Sequence, residues 1–228
     1  MEPIFSPSLM NIDYLHVQRD LEVLCENFTM LHADIMDGYF AKNITLSPGF
    51  VNAVKSVASI PVEAHLMVTY PEDYIDALAG VDYITLHVET INTNAFRLIN
   101  KIKNMGSKLG LALNPATPLC AAEHLLKEAD LLNIMGVDIG YSGQQFIEPM
   151  LNKIAEAKKL KDKMGYSYIL QVDGGCAANT YKKLWQHGTE CFVLGAALFR
   201  RSKDLSQACK LVKDDLNRES PKGLLSPS

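Results

Sequence analysis

Basic residues are not in excess in this chain, and that scarcity removes two classes of partner. It carries 22 Lys and Arg against 26 Asp and Glu, a formal net charge of −4 and an isoelectric point near 5.9. Nucleic acid and anionic membrane surfaces both demand a basic face, so neither is expected as a partner. Long apolar runs are also missing. None approaches the roughly 20 residues that cross a bilayer, and the segment Met1 to Met10 has neither the charged start nor the apolar core of a secretion signal, which makes a cytoplasmic location the expectation. Cysteine is sparse and unpatterned. Cys25, Cys120, Cys176, Cys191 and Cys209 show no CxxC spacing, which excludes a zinc knuckle and a thiol redox pair; an odd count in a reducing compartment leaves packing as the role of most of them. No GxGxxG follows the first strand and no Pro/Gly-rich linker divides the sequence, so a dinucleotide-binding open sheet and a two-domain chain lose their support. A small ligand remains.

What the chain does contain is a regular alternation. Short β-rich apolar runs lie at Ile4-Phe5, Met30 to Ile35, Val62 to Met67, Tyr83 to His87, Leu109 to Leu113, Leu131 to Ile134, Tyr168 to Val172 and Cys191 to Leu194. Helical patterns separate them, at Gly49 to Ala58, Pro71 to Leu78, Asn94 to Met105, Leu119 to Lys127, Met150 to Met164, Asn179 to His187 and Asp204 to Leu216, with a further helical region around His16. A repeating βα unit requires parallel strands joined by right-handed crossovers. Eight such units in 228 residues suit a closed (β/α)₈ barrel, the TIM-barrel class. Residues 1–219 are expected to form that barrel and residues 220–228, rich in serine and proline, a frayed tail.

In a barrel of this kind the C-terminal ends of the strands face one mouth, where active sites are built. The residues at those ends are not a random set. Strand two places His32, Asp34 and Met36 on one face by its two-residue period; Ser8 ends strand one, His65 and Met67 strand three, His87 strand four, Met135 strand six and Asp173 strand seven. Taken together, His32, His65, Asp34 and Asp173 form a nitrogen and oxygen donor set suited to Zn²⁺, Fe²⁺, Mn²⁺ or Co²⁺ with positions left for substrate oxygens. For any one histidine alone, a core imidazole bonded to backbone is an equal reading. His87 is placed around the donor set, whereas His16, His124 and His187 read as surface residues. Met36, Met67 and Met135 are core filler on ordinary grounds, and their second reading is an uncharged, polarisable lining over the metal. Glycine-bearing turns follow three neighbouring strands, Gly140-Tyr141-Ser142-Gly143, Gly174-Gly175 and Gly195-Ala196. Such loops free backbone N–H groups for a phosphate, although tight βα turns alone would also explain the glycines.

The segments His32 to Gly38 (HADIMDG), Ala64 to Val68 (AHLMV), Thr85 to Glu89 (TLHVE), Gly110 to Pro118 (GLALNPATP), Gly140 to Phe146 (GYSGQQF) and Val172 to Gly175 (VDGG) together resemble the ribulose-phosphate 3-epimerase family, in the family's order and over nearly the whole chain. The resemblance implies a metal-dependent barrel that inverts C3 of a phosphorylated ketose. It makes His32, Asp34, His65 and Asp173 the ligands of one divalent ion, zinc first, and Asp34 and Asp173 the acid/base pair. It brings Ser8 and His65 to the substrate and gives the phosphate to Gly140 to Gly143, Gly174-Gly175 and Gly195-Ala196. Met36, Met67 and Met135 then line the enediolate, and a homo-oligomer is the expected assembly.

This chain departs from the family pattern around the phosphate. Ile139 stands for the usual proline, Tyr141-Ser142 for Phe-Gly and Ala196 for serine; Tyr39 and Ala41-Lys42 replace the common His and Val-Pro, while Asn43 is retained. The runs Leu46-Ser47-Pro48, Val68-Thr69, Glu89 to Asn92 and Ala95 to Ile99 are more similar to the D-allulose 6-phosphate 3-epimerase branch than to the pentulose branch. D-Allulose 6-phosphate is therefore the expected substrate and D-ribulose 5-phosphate the alternative. Two other classes compete. A decarboxylase or aldolase on the same barrel would present a lysine at a strand end, and no strand end here does; a sugar-phosphate sensor would need no acid on each face of its ligand.

Overall fold

The structure is a computed structural model that describes residues 3–219. Eight strands appear where the apolar runs lie: β1 (Ile4–Pro7), β2 (Leu31–Met36), β3 (Val62–Met67), β4 (Tyr83–His87), β5 (Lys108–Leu113), β6 (Leu131–Met135), β7 (Ile169–Asp173) and β8 (Cys191–Leu194). All pair in parallel in the order β1-β8-β7-β6-β5-β4-β3-β2. A single parallel bridge between Ser8 and His32 joins the two ends of that sheet and closes the barrel. The eight expected strands and the barrel class are thus present.

The helices α1 (Val17–Asn27), α2 (Pro48–Val57), α3 (Glu72–Ile75), α4 (Ala95–Asn104), α5 (Met150–Met164), α6 (Tyr181–Gln186), α7 (Ala196–Phe199) and α8 (Leu205–Glu219) connect or follow the strands. Their ends follow local chemistry. The Ser47 hydroxyl accepts the Phe50 N–H at the start of α2, where Pro48 occupies the first turn and needs no donor. Gly165 ends α5 in the left-handed region at φ 67°. Helix α4 turns Leu98, Ile99 and Ile102 inward and keeps its lysines outside.

Two expected helices are corrected. The segment Leu119 to Lys127 is not one α-helix but two 3₁₀ turns, Leu119–Ala122 and Leu126–Glu128, and Pro71 to Leu78 is the four-residue α3 followed by a 3₁₀ turn at Asp76–Leu78. The burial period accounts for it: Leu119, Ala122 and Leu125 are buried at every third position, as are Ile75 and Leu78, the spacing at which side chains line up on a 3₁₀ turn. His124 therefore lies between turns rather than in a helix, though exposed as expected, while His187 is half-buried at the end of α6, where its Nδ1 donates to the Lys183 carbonyl. His16 is exposed beside Asp13. The five cysteines are free, with Cys176, Cys191 and Cys209 buried, Cys25 half-buried and Cys120 exposed. The expected tail 220–228 lies outside the described residues. Among those described, no helix is long and apolar enough to cross a membrane.

Inside the barrel the side chains form layers, as the alternation of each strand requires. Met30, Tyr83, Leu131 and Cys191 plug the bottom with Ile4 and Ile169 packed on them. Above the plug sits a polar tier of Glu63, Thr85, Asn133 and Gln171, all fully buried. The third tier is the site. Outside the barrel, one continuous apolar core joins the strands to the helices.

Candidate active site

Strands β2, β3 and β7 deliver His32, Asp34, His65 and Asp173 to one place, with one ligand atom from each lying within 4.8 Å of the others. His32 Nε2 is 3.0 Å from Asp34 Oδ1 and 3.5 Å from Asp173 Oδ2. His65 Nδ1 is 3.3 Å from the same Asp34 oxygen and 3.4 Å from the same Asp173 oxygen. Two imidazole nitrogens and two carboxylate oxygens therefore converge as the sequence predicts, and the donor set fits one divalent ion of the transition series.

The second nitrogen of each histidine is also held, which fixes the ring that would face the ion. His32 Nδ1 donates to Glu63 Oε2 at 2.8 Å, and Glu63 is itself clamped by Thr85 Oγ1 at 2.6 Å and Gln171 Nε2 at 2.9 Å. A glycine makes room for that clamp. A methyl on Gly110 would stand 1.9 Å from Thr85 Oγ1, so only glycine on β5 leaves Thr85 free to reach Glu63. On the other side His65 Nε2 lies 3.0 Å from His87 Nε2, and His87 Nδ1 lies 3.3 Å from Glu89 Oε2. Glu89 takes further hydrogen bonds from the Asn114 N–H at 2.9 Å and from Thr117 Oγ1, while the Lys153 ammonium gathers the carbonyls of Asn114, Pro115 and Thr117 at 2.6 to 3.0 Å. Each imidazole thus ends on an anchored carboxylate.

Electrostatics follow from this crowding. Burial works against a charge on His32, but the carboxylates of Glu63, Asp34 and Asp173 outweigh it and hold that imidazole well above its ordinary pKa. Burial likewise opposes His65, and the hydrogen bonds its Nδ1–H donates to Asp173 and Asp34 raise it. His87 behaves the other way: burial pushes it down to about 4, so it is neutral and accepts from His65 through Nε2 while donating to Glu89 through Nδ1. Burial raises both aspartates. For Asp34 the His32 charge prevails and holds it below the carboxylate range, whereas Asp173 is lowered against the additional opposition of the Asp34 charge. Asp34 also receives the Ser8 hydroxyl at 2.5 Å on Oδ2.

Above the donor set opens a cavity of about 580 Å³ whose lining includes Ser8, Asp34 and Asp173 together with Met36, Met67 and Met135. The three methionines are at most 5% exposed and yet reach the cavity. The expected loop residues Gly140, Tyr141, Ser142, Gly143, Gly174, Gly175, Gly195 and Ala196 all line it. Gly174 and Gly175 are required there by conformation and by space. Their φ values are 93° and 72°, and a Cβ on them would meet Val137 Cγ2 at 2.3 Å and Phe146 Cβ at 2.6 Å. Two of the sequence departures are stitched into this wall: Tyr141 Oη donates to the Lys42 carbonyl at 2.6 Å and Ser142 Oγ to Asn11 Oδ1 at 2.8 Å. His65 is fully buried and does not line the cavity.

Glu63, Gln171, Glu89, Asn11 and Arg200 are the residues that sequence reasoning passed over. A signal existed for two. Glu63 and Gln171 stand two residues before His65 and Asp173, at inward positions where strands otherwise bury apolar groups, and a polar residue there needs a polar partner. Asn11 and Arg200 carried no such mark.

A parallel barrel with a two-histidine, two-aspartate cluster under a glycine-lined cavity defines the class: a (β/α)₈ barrel whose buried donor set is compatible with one divalent ion. The particular family follows from comparison with known proteins. Residues 4–199 match the family model described as the ribulose-phosphate 3 epimerase family. A chloroplastic ribulose-5-phosphate-3-epimerase of Arabidopsis thaliana is 36% identical over 215 residues, 92% of this chain and 76% of that protein. The ribulose-phosphate 3-epimerase of Treponema pallidum (strain Nichols) is 36% identical over 197 residues, covering 85% and 90%. The chain belongs to the ribulose-phosphate 3-epimerase family and is an isomerase of the sugar-phosphate epimerase class. Solved structures share its fold alone: KGPDC from Streptococcus mutans (TM-score 0.69, 13% identity, 96% and 99% coverage) and 3-hexulose-6-phosphate synthase from Salmonella typhimurium (TM-score 0.63, 16%, 95% and 100%).

Proposed function

We propose that this chain inverts C3 of D-allulose 6-phosphate to give D-fructose 6-phosphate, with Asp34 and Asp173 as the two proton carriers. The observation that carries the reading is the placement of those carboxylates on the floor of one cavity. They arrive from β2 and from β7, which is reached from β2 by way of β1 and β8, so a ketose lying between them offers C3 to one carboxylate on each face. A divalent ion held by His32, Asp34, His65 and Asp173, zinc in first place ahead of Fe²⁺, Mn²⁺ or Co²⁺, supplies positive charge where the C2 and C3 oxygens become negative.

The remaining work belongs to side chains. One aspartate takes the C3 proton through a carboxylate oxygen while the other has to enter the step protonated, although the neighbouring histidines by themselves hold both carboxyls low, and delivers its proton to the opposite face; the roles exchange in the reverse direction. Ser8 Oγ donates to Asp34 Oδ2 and so holds the second oxygen of that carboxylate. Met36, Met67 and Met135 keep water from the planar intermediate without adding a charge. The glycine loops after β6, β7 and β8 surround the phosphate. A homo-oligomer working in the cytoplasm is part of the same reading.

The hexulose phosphate is supported by the runs Leu46-Ser47-Pro48, Val68-Thr69, Glu89 to Asn92 and Ala95 to Ile99. The second reading, D-ribulose 5-phosphate to D-xylulose 5-phosphate, is favoured by the names of the relatives. Incubating metal-loaded protein with each substrate in D₂O and following C3 by proton NMR separates them. Deuterium incorporation with formation of the C3 epimer is expected, faster for D-allulose 6-phosphate; a faster D-ribulose 5-phosphate reaction selects the second reading, and no exchange with either refutes both.

A further inference from the structure

The cavity is lined by more carboxylates than cations. Asp34, Asp138, Glu148 and Asp173 line it against two cations, Lys183 and Arg200. Lys183 is already committed, since its ammonium is bonded to Glu148. Arg200 differs. Among the described residues no carboxylate lies within ion-pair distance of it, although its neighbour Arg201 is held by Asp215 at 2.8 Å. It is also close to the right loops. A methyl built on Gly143 would come within 3.1 Å of Arg200 Nη1 and 3.7 Å of Ala196 Cβ, so the guanidinium stands where the loop after β6 meets the loop after β8.

A second donor stands beside the same loops. Asn11 Oδ1 accepts the Ser142 hydroxyl at 2.8 Å, which leaves Asn11 Nδ2 as the free end of the amide. That nitrogen is buried, has no hydrogen-bond partner among the described residues, and would lie 3.5 Å from a methyl on Gly195. A buried amide N–H without an acceptor costs free energy that a ligand oxygen would recover. The helix beyond Gly195 does not supply the missing charge, because α7 has only four residues and a macrodipole needs aligned turns.

We propose that the Arg200 guanidinium and the Asn11 side-chain amide anchor the substrate phosphate of this chain, and that Arg200 makes it selective for phosphorylated over unphosphorylated ketoses. The proposal rests on the epimerase reading given above. A divalent ion offsets two of the three carboxylates left after Lys183 is paired with Glu148. Arg200 offsets the third, and without it a phosphate dianion would enter a cavity of net negative charge. A planar fork also suits two phosphate oxygens at once, which a point charge does not.

The test uses metal-loaded full-length protein and the variants Arg200→Met, Arg200→Lys and Asn11→Ala, with metal content and thermal unfolding as controls. For Arg200→Met, KM for the phosphorylated ketose is expected to rise roughly 10- to 100-fold, the size of a lost charge-assisted hydrogen bond, with kcat changed by less than about threefold. Arg200→Lys should recover part of the loss, and Asn11→Ala should show a smaller rise in KM. Inorganic phosphate gives an independent probe: it should raise the melting temperature of the wild-type protein and not that of Arg200→Met. A KM within twofold of wild type, together with phosphate stabilisation equal to wild type, overturns the proposal. If the wild-type protein turns over no phosphorylated ketose, the epimerase reading fails, and the phosphate stabilisation still decides the anchor.

Discussion

Replacing Glu63 by glutamine isolates the charge behind one metal-facing histidine. Glu63 is fully buried and accepts three hydrogen bonds, from His32 Nδ1, Thr85 Oγ1 and Gln171 Nε2. Glutamine keeps the shape: its carbonyl oxygen can take the place of Oε2 and still accept from His32 and Gln171, while Thr85 turns its hydroxyl to accept from the new NH₂. What is lost is the anion. A hydrogen bond to a charged partner is worth about 1.5 to 3 kcal/mol and a neutral one about 1 kcal/mol, so His32 becomes a weaker donor to the ion by roughly 1 to 2 kcal/mol. That corresponds to a drop in metal affinity of roughly 5- to 30-fold, overlapping the 10- to 100-fold range typical of groups behind metal ligands. The assay is competition against a chromogenic zinc chelator with metal-stripped protein, with thermal unfolding of the same samples to show that the barrel persists. Affinity within twofold of wild type would refute the assignment of Glu63 as the group that tunes His32. Glu63→Ala supplies the contrast. It strands three buried donors, at about 1 to 3 kcal/mol each, and is expected to unfold the barrel rather than merely weaken it.

Three further outcomes are expected. Gly110→Ala puts a methyl 1.9 Å from Thr85 Oγ1 and should cost about 1 to 3 kcal/mol by urea unfolding while lowering metal affinity as well, because Thr85 is pushed off Glu63; unchanged stability would refute the packing argument. Burial raises Glu89, but its hydrogen bonds with His87, Thr117 and Asn114 outweigh it and hold the carboxyl at about 2 against an ordinary 4.5. A depressed carboxylate stabilises the fold above its unfolded value and loses that contribution as pH falls through its folded one. The difference in urea stability between wild type and Glu89→Gln should thus reach about 2 to 3 kcal/mol near neutrality and shrink as pH falls from about 4.5 towards 2, and a gap that does not change with pH would overturn this account. Asp173→Asn should keep the fold and most of the metal while kcat falls by roughly 10² to 10⁴, and near-normal turnover would remove Asp173 from proton transfer.

The strands were legible because each buries both faces and is bounded by turn residues, so every apolar run became a strand of the barrel. The four-residue cluster was legible for a related reason: charged side chains at alternate strand positions, such as His32 and Asp34, have no other inward environment that would accept them. Helical patterning failed where the burial period overruled propensity. Leu119 to Lys127 is rich in helix formers, yet its buried residues Leu119, Ala122 and Leu125 recur at every third position and the segment winds as 3₁₀ turns. Arg200 and Asn11 were illegible because their significance lies in what approaches them across the fold. Arg200 meets Gly143, 57 positions away in the sequence, and Asn11 meets Ser142 across 131, and no local period records such a meeting.

The one-bridge joint between Ser8 and His32 has a mechanical meaning. Between β2 and β3 the ladder runs through six paired positions, and β1 is paired with β8 through four; between β1 and β2 the sheet is fastened at a single pair. The barrel is a cuff with a clasp rather than a hoop. The clasp lies at the site, for Ser8 also donates to Asp34, so an occupant touching both residues would span the clasp and fasten it. Occupancy would then register well beyond the cavity, as slower amide exchange along β1 and β2, where the cuff would otherwise breathe.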